Sequence, residues 1–316
     1  MNTIINLLNK TLLAYWFSLF VFSSSSLACD AEQKFNLTEV AEGNFVHTGL
    51  HVSIEDTQHD DIANIGFIIG NNCVAVIDTG GSINIGQKLL TSIRSETNKP
   101  ICYVINTHVH FDHILGNKVF STKETTFVGH HQLAEAVEQN RSFFLEYYKN
   151  DLGLNPNESS IIGPDILVDK TMQLDLGGRS LTLIPFAVSH SHSDLVIIDN
   201  KTKTLWSGDL IFRQRIPSLT GSLIGWLSTM DTLLKLDVNT VVPGHGSIAS
   251  TIRQALDQQQ EYFQTLLEGT RKAVAEGQFI NDAMETIDKE NKSHWLLHEY
   301  QHGSNVSKAF TELEWE

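Results

Sequence analysis

The sequence predicts an α/β protein in which two β-sheets lie between layers of helix. Two observations carry that prediction. Strand-like apolar runs fall in two batches along the 316 residues, and each batch is followed by helical patterns. In addition, the densest polar clusters all sit directly after apolar runs, where loops above a sheet edge carry chemistry.

The first batch opens with alternating runs over Asn44–Leu50 and Ile62–Gly70, read as antiparallel strands. Val74–Asp78 follows and ends in Asp78-Thr79-Gly80-Gly81, a turn into a helix over Gly86–Ser95. A strand at Ile101–Asn106, a polar loop, a short strand at Thr125–Val128 and a helix from His131 to about Asn150 complete it. Residues 151–165 carry glycines, prolines and Asn/Ser, and read as a loop. The second batch is Met172–Leu176, Ser180–Ala187, Leu195–Asp199 and Thr204–Ser207. A helix at Ser222–Leu236 follows, with Leu223, Trp226, Leu227, Met230 and Leu234 on one face, and that stripe is core. A last strand at Thr240–Val242 leads to Pro243-Gly244-His245-Gly246, then a Gln-rich amphipathic helix over Ser250–Ala275. The tail from Phe279 to Glu316 is polar with helical stretches, and its run Asp282–Lys292 reads as a solvated helix face. Residues 29–275 are expected to form the catalytic domain, with 276–316 a helical extension packed on it.

The N-terminus has another purpose. Lys10, the apolar run Leu12–Phe22 and the small-residue end Ser26-Leu27-Ala28 read as a secretory signal cut after Ala28. The run is too short to span a bilayer, so no integral membrane span is expected once it is removed. Export, to the periplasm in a Gram-negative cell, is the expectation; Cys29 would follow the cut, and lipid attachment there is the alternative. Cys73 and Cys102 each open an apolar run. If those runs are neighbouring parallel strands, the thiols stand at similar heights and can pair in an oxidising compartment; two reduced core cysteines are the other reading. The formal charge of −15 argues against nucleic-acid partners.

Four clusters carry the chemistry. Thr107-His108-Val109-His110-Phe111-Asp112-His113 packs three imidazoles and a carboxylate past a strand end, too many polar groups for a core. His108 and His110 share a face of an extended segment, while Asp112 and His113 can turn to a second ion. Nitrogen and carboxylate donors at this density suit zinc or a similar metal. Val188-Ser189-His190-Ser191-His192-Ser193-Asp194, Ser207-Gly208-Asp209 and Gly244-His245-Gly246 supply the remaining donors.

In their order and separations these motifs resemble the metallo-β-lactamase superfamily of metal-dependent hydrolases, over roughly Gly43–Ser250. The resemblance implies an αββα sandwich and two Zn²⁺ ions, iron or manganese being alternatives. His108, His110 and His190 would hold the first ion, Asp112, His113 and His245 the second, with Asp209 bridging. His192 competes with His190, and the acid four positions after His190 favours His190; His192 would then line the substrate pocket. Asp78 matches the family's buried aspartate, which supports the metal loop from behind. Asp112 would also orient the nucleophile, a hydroxide bridging the metals that attacks an ester, thioester, lactone or lactam. His130 and Arg213 are candidate pocket residues, although His130 also suits orienting the next helix and Arg215 could meet an anion as well as Arg213.

A narrower resemblance, to SoxH-related metallohydrolases that accompany PQQ-dependent quinoprotein systems, rests on the exported N-terminus, Asn64-Ile-Gly-Phe-Ile-Ile-Gly70, Gly221–Trp226 and Glu312–Glu316. It implies a functional association with a quinoprotein dehydrogenase beside a small-molecule substrate. The rival readings are a β-lactamase proper, an iron-dependent persulfide dioxygenase-like enzyme, and a non-hydrolytic accessory protein.

Overall fold

The computed structural model describes residues 34–316, so the signal segment, its cleavage site and Cys29 lie outside the described residues. Twelve strands form two sheets among the described residues. The first, in order, is β1 (Thr38–Ala41), β2 (Asn44–His47), β3 (Ile65–Ile69), β4 (Val74–Ile77), β5 (Ile101–Ile105), β6 (Thr126–His130) and β7 (Ile166–Val168). Its pairs are antiparallel through β4 and parallel from β4 to β7. The second runs β12 (Thr240–Val242), β11 (Thr204–Trp206), β10 (Leu195–Asp199), β9 (Ser180–Pro185) and β8 (Met172–Asp175), with only β11–β12 parallel.

Alternation along the strands explains the layering. Ala75 and Ile77 of β4 join Ile105, Val128, Leu181, Leu183, Ile197 and Trp206 in the core between the sheets. Val74 and Val76, one residue out of phase, face the helix α1 (Ile83–Glu96) through Ile85, Leu89 and Ile93. Strands covered on both faces read as continuous apolar runs, as Val74–Ile77 does. On the other side, Val196, Leu205 and Val241 meet α5 (Leu223–Leu233), α6 (Ile252–Ala275) and α8 (His298–Leu313). The short helices α2 (Phe111–Ile114) and α3 (Asn117–Phe120) follow β5, α4 (Leu133–Tyr147) follows β6, and α7 (Ile280–Thr286) precedes α8. The chain is therefore two mixed sheets sandwiched between helical layers, as its sequence predicts.

Three details depart from the sequence reading. The edge strands β1 and β7 were not visible in it, being only four and three residues long. The polar loop after β5 runs into two single-turn helices, α2 and α3, that the sequence reading did not place. The stretch read as a solvated helix face is one only as far as Thr286, where α7 ends with Asp282 and Glu285 exposed; Asp288 beyond it is buried. Cys73 and Cys102 are joined in a disulfide that ties β4 to β5. No described helix is long and apolar enough to cross a membrane.

Candidate metal centre

Every polar cluster lies at one edge of the sandwich. Asp78 follows β4; Thr107–His113 follow β5; His190 lies in the β9–β10 connection; Asp209 follows β11 and His245 follows β12. These loops leave the carboxyl ends of strands or join the neighbouring hairpin, where open sheets gather functional groups. Backbone bonds fix them to one another: Leu195 N–H donates to the Thr107 carbonyl, and Gly244 N–H to that of Gly208. Gly244 is required here, because a Cβ would stand 1.9 Å from Asp209 Oδ1.

Two groups of donors result. His108, His110, His190 and Asp209 form the first, and Asp112, His113 and His245 the second; within each, one ligand atom per residue lies within 4.8 Å of the others. His110 Nδ1 stands 3.0 Å from His108 Nε2 and 2.8 Å from His190 Nε2. Asp209 lies between the groups, with Oδ2 3.3 Å from His190 Nε2 and 3.2 Å from His245 Nε2, and Oδ1 3.1 Å from His113 Nε2. Asp112 Oδ2 is 3.4 Å from His245 Nε2 and 3.6 Å from His113 Nε2.

The outward nitrogens assign the tautomers. His190 Nδ1 donates to the Ser218 carbonyl at 2.8 Å, His245 Nδ1 to the Ile62 carbonyl at 2.7 Å, and His113 Nδ1 to Asp78 Oδ2 at 2.8 Å. His108 Nδ1 lies 3.0 Å from Thr107 Oγ1, whose own proton goes to Asp78 Oδ2 at 2.7 Å, so that nitrogen donates as well. Each of these imidazoles thus carries its proton on Nδ1 and aims an Nε2 lone pair inward, the arrangement that outer partners impose on metal-ligating histidines. His113 Nε2 and Asp209 Oδ1 are buried without a hydrogen bond despite their proximity. Unpaired buried polar atoms of this kind are costly unless something else satisfies them. The donor set and its orphaned atoms fit a pair of divalent ions.

Electrostatics favour neutral His108 and His190 beside a charged Asp209, and set His113 apart. Burial pushes His190 down to about 3 and His108 well below its usual value. Burial opposes an imidazolium at His113 too, but the carboxylates of Asp209, Asp112 and Asp78 outweigh it and raise its pKa well above normal. Burial alone would raise Asp209; the surrounding imidazoles, His245 and His113 foremost, hold it well below the carboxylate range. A metal ion would replace the proton that these carboxylates draw onto His113.

Other residues singled out in the sequence fall elsewhere. His192 is exposed and lines a neighbouring cavity, while His190, the alternative, stands in the first donor group. His130 lines neither cavity at this edge: Nε2 donates to the Phe186 carbonyl and Nδ1 accepts the Gln132 N–H, so it orients α4. Burial takes its pKa to about 4. Arg213 is likewise turned away, because its guanidinium donates to the carbonyls of Ser247 and Ile248. Arg215, two residues on, lines the metal-group cavity while its Nη1 donates to the Val52 carbonyl at 3.2 Å.

Two cavities open here. One, about 220 Å³, is bounded by His110, Asp112, His190, Asp209 and His245 with Arg215, Thr220, Tyr300 and Gln301. The second, about 530 Å³, shares His110, Phe111 and Thr220 with the first and extends over Phe143, Phe144 and Tyr148. Sequence reasoning missed this apolar annex and the α8 wall, since neither carries a motif. Aromatic residues crowded into α4 were the one available signal.

Comparisons with known proteins agree with this architecture. The chain is 24% identical over 242 residues to a linear primary-alkylsulfatase of Pseudomonas sp. (strain ATCC 19151), covering 66% of this chain and 44% of that protein, so it spans less than half of that relative. Its fold is similar to that of a stereoselective inverting sec-alkylsulfatase from Pseudomonas sp., with a TM-score of 0.69 at 16% identity over 87% of this chain and 50% of the other. It is also similar to a metallo-beta-lactamase family protein from Thermus thermophilus, with a TM-score of 0.63 at 16% identity, covering 87% of this chain and 93% of that one. The family model described as the metallo-beta-lactamase superfamily matches residues 60–245, which hold every donor named above, and the chain belongs to that superfamily of metal-dependent hydrolases.

Proposed function

We propose that the chain is an exported, dinuclear zinc-dependent hydrolase that cleaves an ester, thioester, lactone or lactam bearing an apolar portion. The observation that carries this reading is the set of inward Nε2 lone pairs on His108, His113, His190 and His245, with Asp209 between the two donor groups. His108, His110 and His190 would hold one ion, Asp112, His113 and His245 the other, and Asp209 both. Bound zinc supplies Lewis acidity and makes water a competent nucleophile at neutral pH.

The chain's residues do the rest. Asp112 accepts a hydrogen bond from the attacking water and orients it. Asp78, held by Thr107 and His113, keeps the donor loop in place. Phe111, Phe143 and Tyr148 receive the apolar part of the substrate and exclude water beside the scissile bond. The Cys73–Cys102 disulfide supports export, because such bonds persist in oxidising compartments. Association with a quinoprotein system rests on the narrower sequence resemblance and is tested by co-purification with a periplasmic quinoprotein dehydrogenase.

A second reading, hydrolysis of an alkyl sulfate, is favoured by Arg215. Its guanidinium stands at the metal-group cavity, held by the Val52 carbonyl rather than by a salt bridge, beside an annex suited to an alkyl chain. The alkylsulfatase relative points the same way. The experiment is a substrate panel of aryl and alkyl thioesters, lactones, β-lactams, alkyl sulfates and persulfides, run on protein of known metal content. Zinc-dependent turnover of a carbonyl substrate supports the first reading, and sulfate release from alkyl sulfates alone the second. Oxygen uptake with persulfide on iron-loaded protein, or metal binding without any turnover, rejects both.

A further inference from the structure

Away from the active site, a third group of donors lies beneath the C-terminal helix. His298 and His302, one turn apart on α8, present stacked rings with centroids 4.4 Å apart. Asp288, from the segment before α8, completes the group, and one ligand atom from each residue lies within 4.8 Å of the others. All three are buried, with 7%, 6% and 5% exposure for Asp288, His298 and His302. His298 Nε2 makes no hydrogen bond and stands 3.6 Å from Asp288 Oδ2. That separation is close to the roughly 3.4 Å expected between two ligand atoms about 2.0–2.1 Å from a tetrahedral zinc ion.

The partners of His302 decide its tautomer. Nε2 faces the Ile287 carbonyl at 2.9 Å and therefore carries the proton, leaving the lone pair on Nδ1, where the Tyr262 hydroxyl now stands at 3.0 Å. An N–H held by a backbone carbonyl is what orients a ligating imidazole. Asn305 Nδ2 donates to the Tyr262 oxygen at 3.0 Å, so that oxygen keeps a partner when Nδ1 turns to an ion and the hydroxyl proton has to turn elsewhere.

We infer that Asp288, His298 and His302 form a binding site for zinc or a similar first-row divalent ion, separate from the catalytic pair. Two imidazoles and a carboxylate with one position left for water satisfy such an ion. Its place in the fold gives it a purpose. Asn305, hydrogen-bonded to Tyr262, accepts the Leu219 N–H and donates to the Pro217 carbonyl, flanking Ser218, whose carbonyl fixes His190. Leu297, Tyr300 and Gln301, around the two histidines on α8, line the metal-group cavity. The ion would pin the wall of the active site without touching substrate.

The test uses zinc as the probe, on the full mature protein. After dialysis against buffered zinc, metal content is measured for wild type, for His298→Ala, and for a variant that leaves only two donors in each catalytic group, His190→Ala/Asp209→Ala/His245→Ala. Wild type is expected to hold one more zinc per chain than His298→Ala. Zinc is also expected to raise the melting temperature of the His190→Ala/Asp209→Ala/His245→Ala protein, and that rise should vanish when His298→Ala is added. Should His298→Ala fail to fold, Asp288→Asn serves, with zinc held at least tenfold more weakly at this site. Equal zinc content and equal zinc-dependent melting shifts with and without the substitution overturn the inference. Because the variant lacking His190, Asp209 and His245 has neither catalytic group complete, it reads the third site alone, and failure of the catalytic proposal leaves this result interpretable.

Discussion

Asp78→Asn tests how the outer hydrogen bonds control the metal donors. Asp78 accepts three of them: Thr107 N–H at 2.8 Å on Oδ1, and Thr107 Oγ1–H at 2.7 Å and His113 Nδ1–H at 2.8 Å on Oδ2. Asparagine fills the same space and keeps its oxygen on Thr107 N–H. Its amide NH₂ then faces the His113 Nδ1–H, donor against donor. His113 can relieve the clash only by moving its proton to Nε2, which removes the lone pair aimed at the second ion. Hydrogen bonds to charged groups contribute about 1.5–3 kcal/mol each, and loss of an outer partner typically weakens metal binding about 10–100-fold. The expected loss is therefore about 1.4–2.8 kcal/mol of zinc binding at the second position, with the fold intact. The assay is zinc competition against a chromophoric chelator in the His298→Ala background, so that only active-site ions are counted, with circular dichroism as the control for folding. Unchanged affinity for the second ion in folded Asp78→Asn protein would refute the tautomer assignment.

Further outcomes follow from other parts of the structure. Arg179→Ala removes a guanidinium that pairs with buried Asp199 at 3.0 and 2.6 Å and also donates to the Ile69 and Glu42 carbonyls, bridging the two sheets. That carboxylate keeps Asn44 and Thr202 as donors but loses its cation, which should cost about 3–5 kcal/mol, read as a fall in urea midpoint at pH 7. Burial raises the Asp199 pKa, but Arg179, Thr202 and Asn44 outweigh it and depress it. The contribution is thus present above the unfolded value near 4 and lost as pH falls through the depressed folded value, so the gap between wild type and variant should narrow only in strong acid. Ala136→Trp, which fills the apolar annex, should raise KM about tenfold or more for substrates with a long apolar portion and spare short ones. Arg215→Ala should raise KM for anionic substrates about tenfold while leaving neutral esters within twofold; equal effects on both would remove its role as an anion receptor.

What the sequence revealed and what it hid divide along physical lines. The two-sheet sandwich was legible because both-face burial leaves runs such as Val74–Ile77 and Ile101–Ile105 without polar interruption, while helices such as α5 show a clear apolar stripe. The donor clusters were legible because imidazoles and carboxylates in such density have few other uses. Spacing to Asp194 favoured His190 over His192, and the structure buries His190 in the first donor group while leaving His192 exposed. Arg213 and Arg215 posed the same problem, and backbone carbonyls of Ser247 and Ile248 capture the first. The apolar annex and the α8 wall depend on contacts between distant segments, such as Leu219 N–H with Asn305, which no local pattern records. Asp288 was misread because acidic residues beside Lys289 and Glu290 look solvated until the chain folds back under α8.

The most direct measurement is the turnover of metal-stripped protein, assayed before and after zinc is restored, on whichever substrate of the panel the native protein hydrolyses. Convergent Nε2 lone pairs and the intervening Asp209 carboxylate predict no turnover without metal and full recovery with zinc. Undiminished hydrolysis by the stripped protein would contradict them.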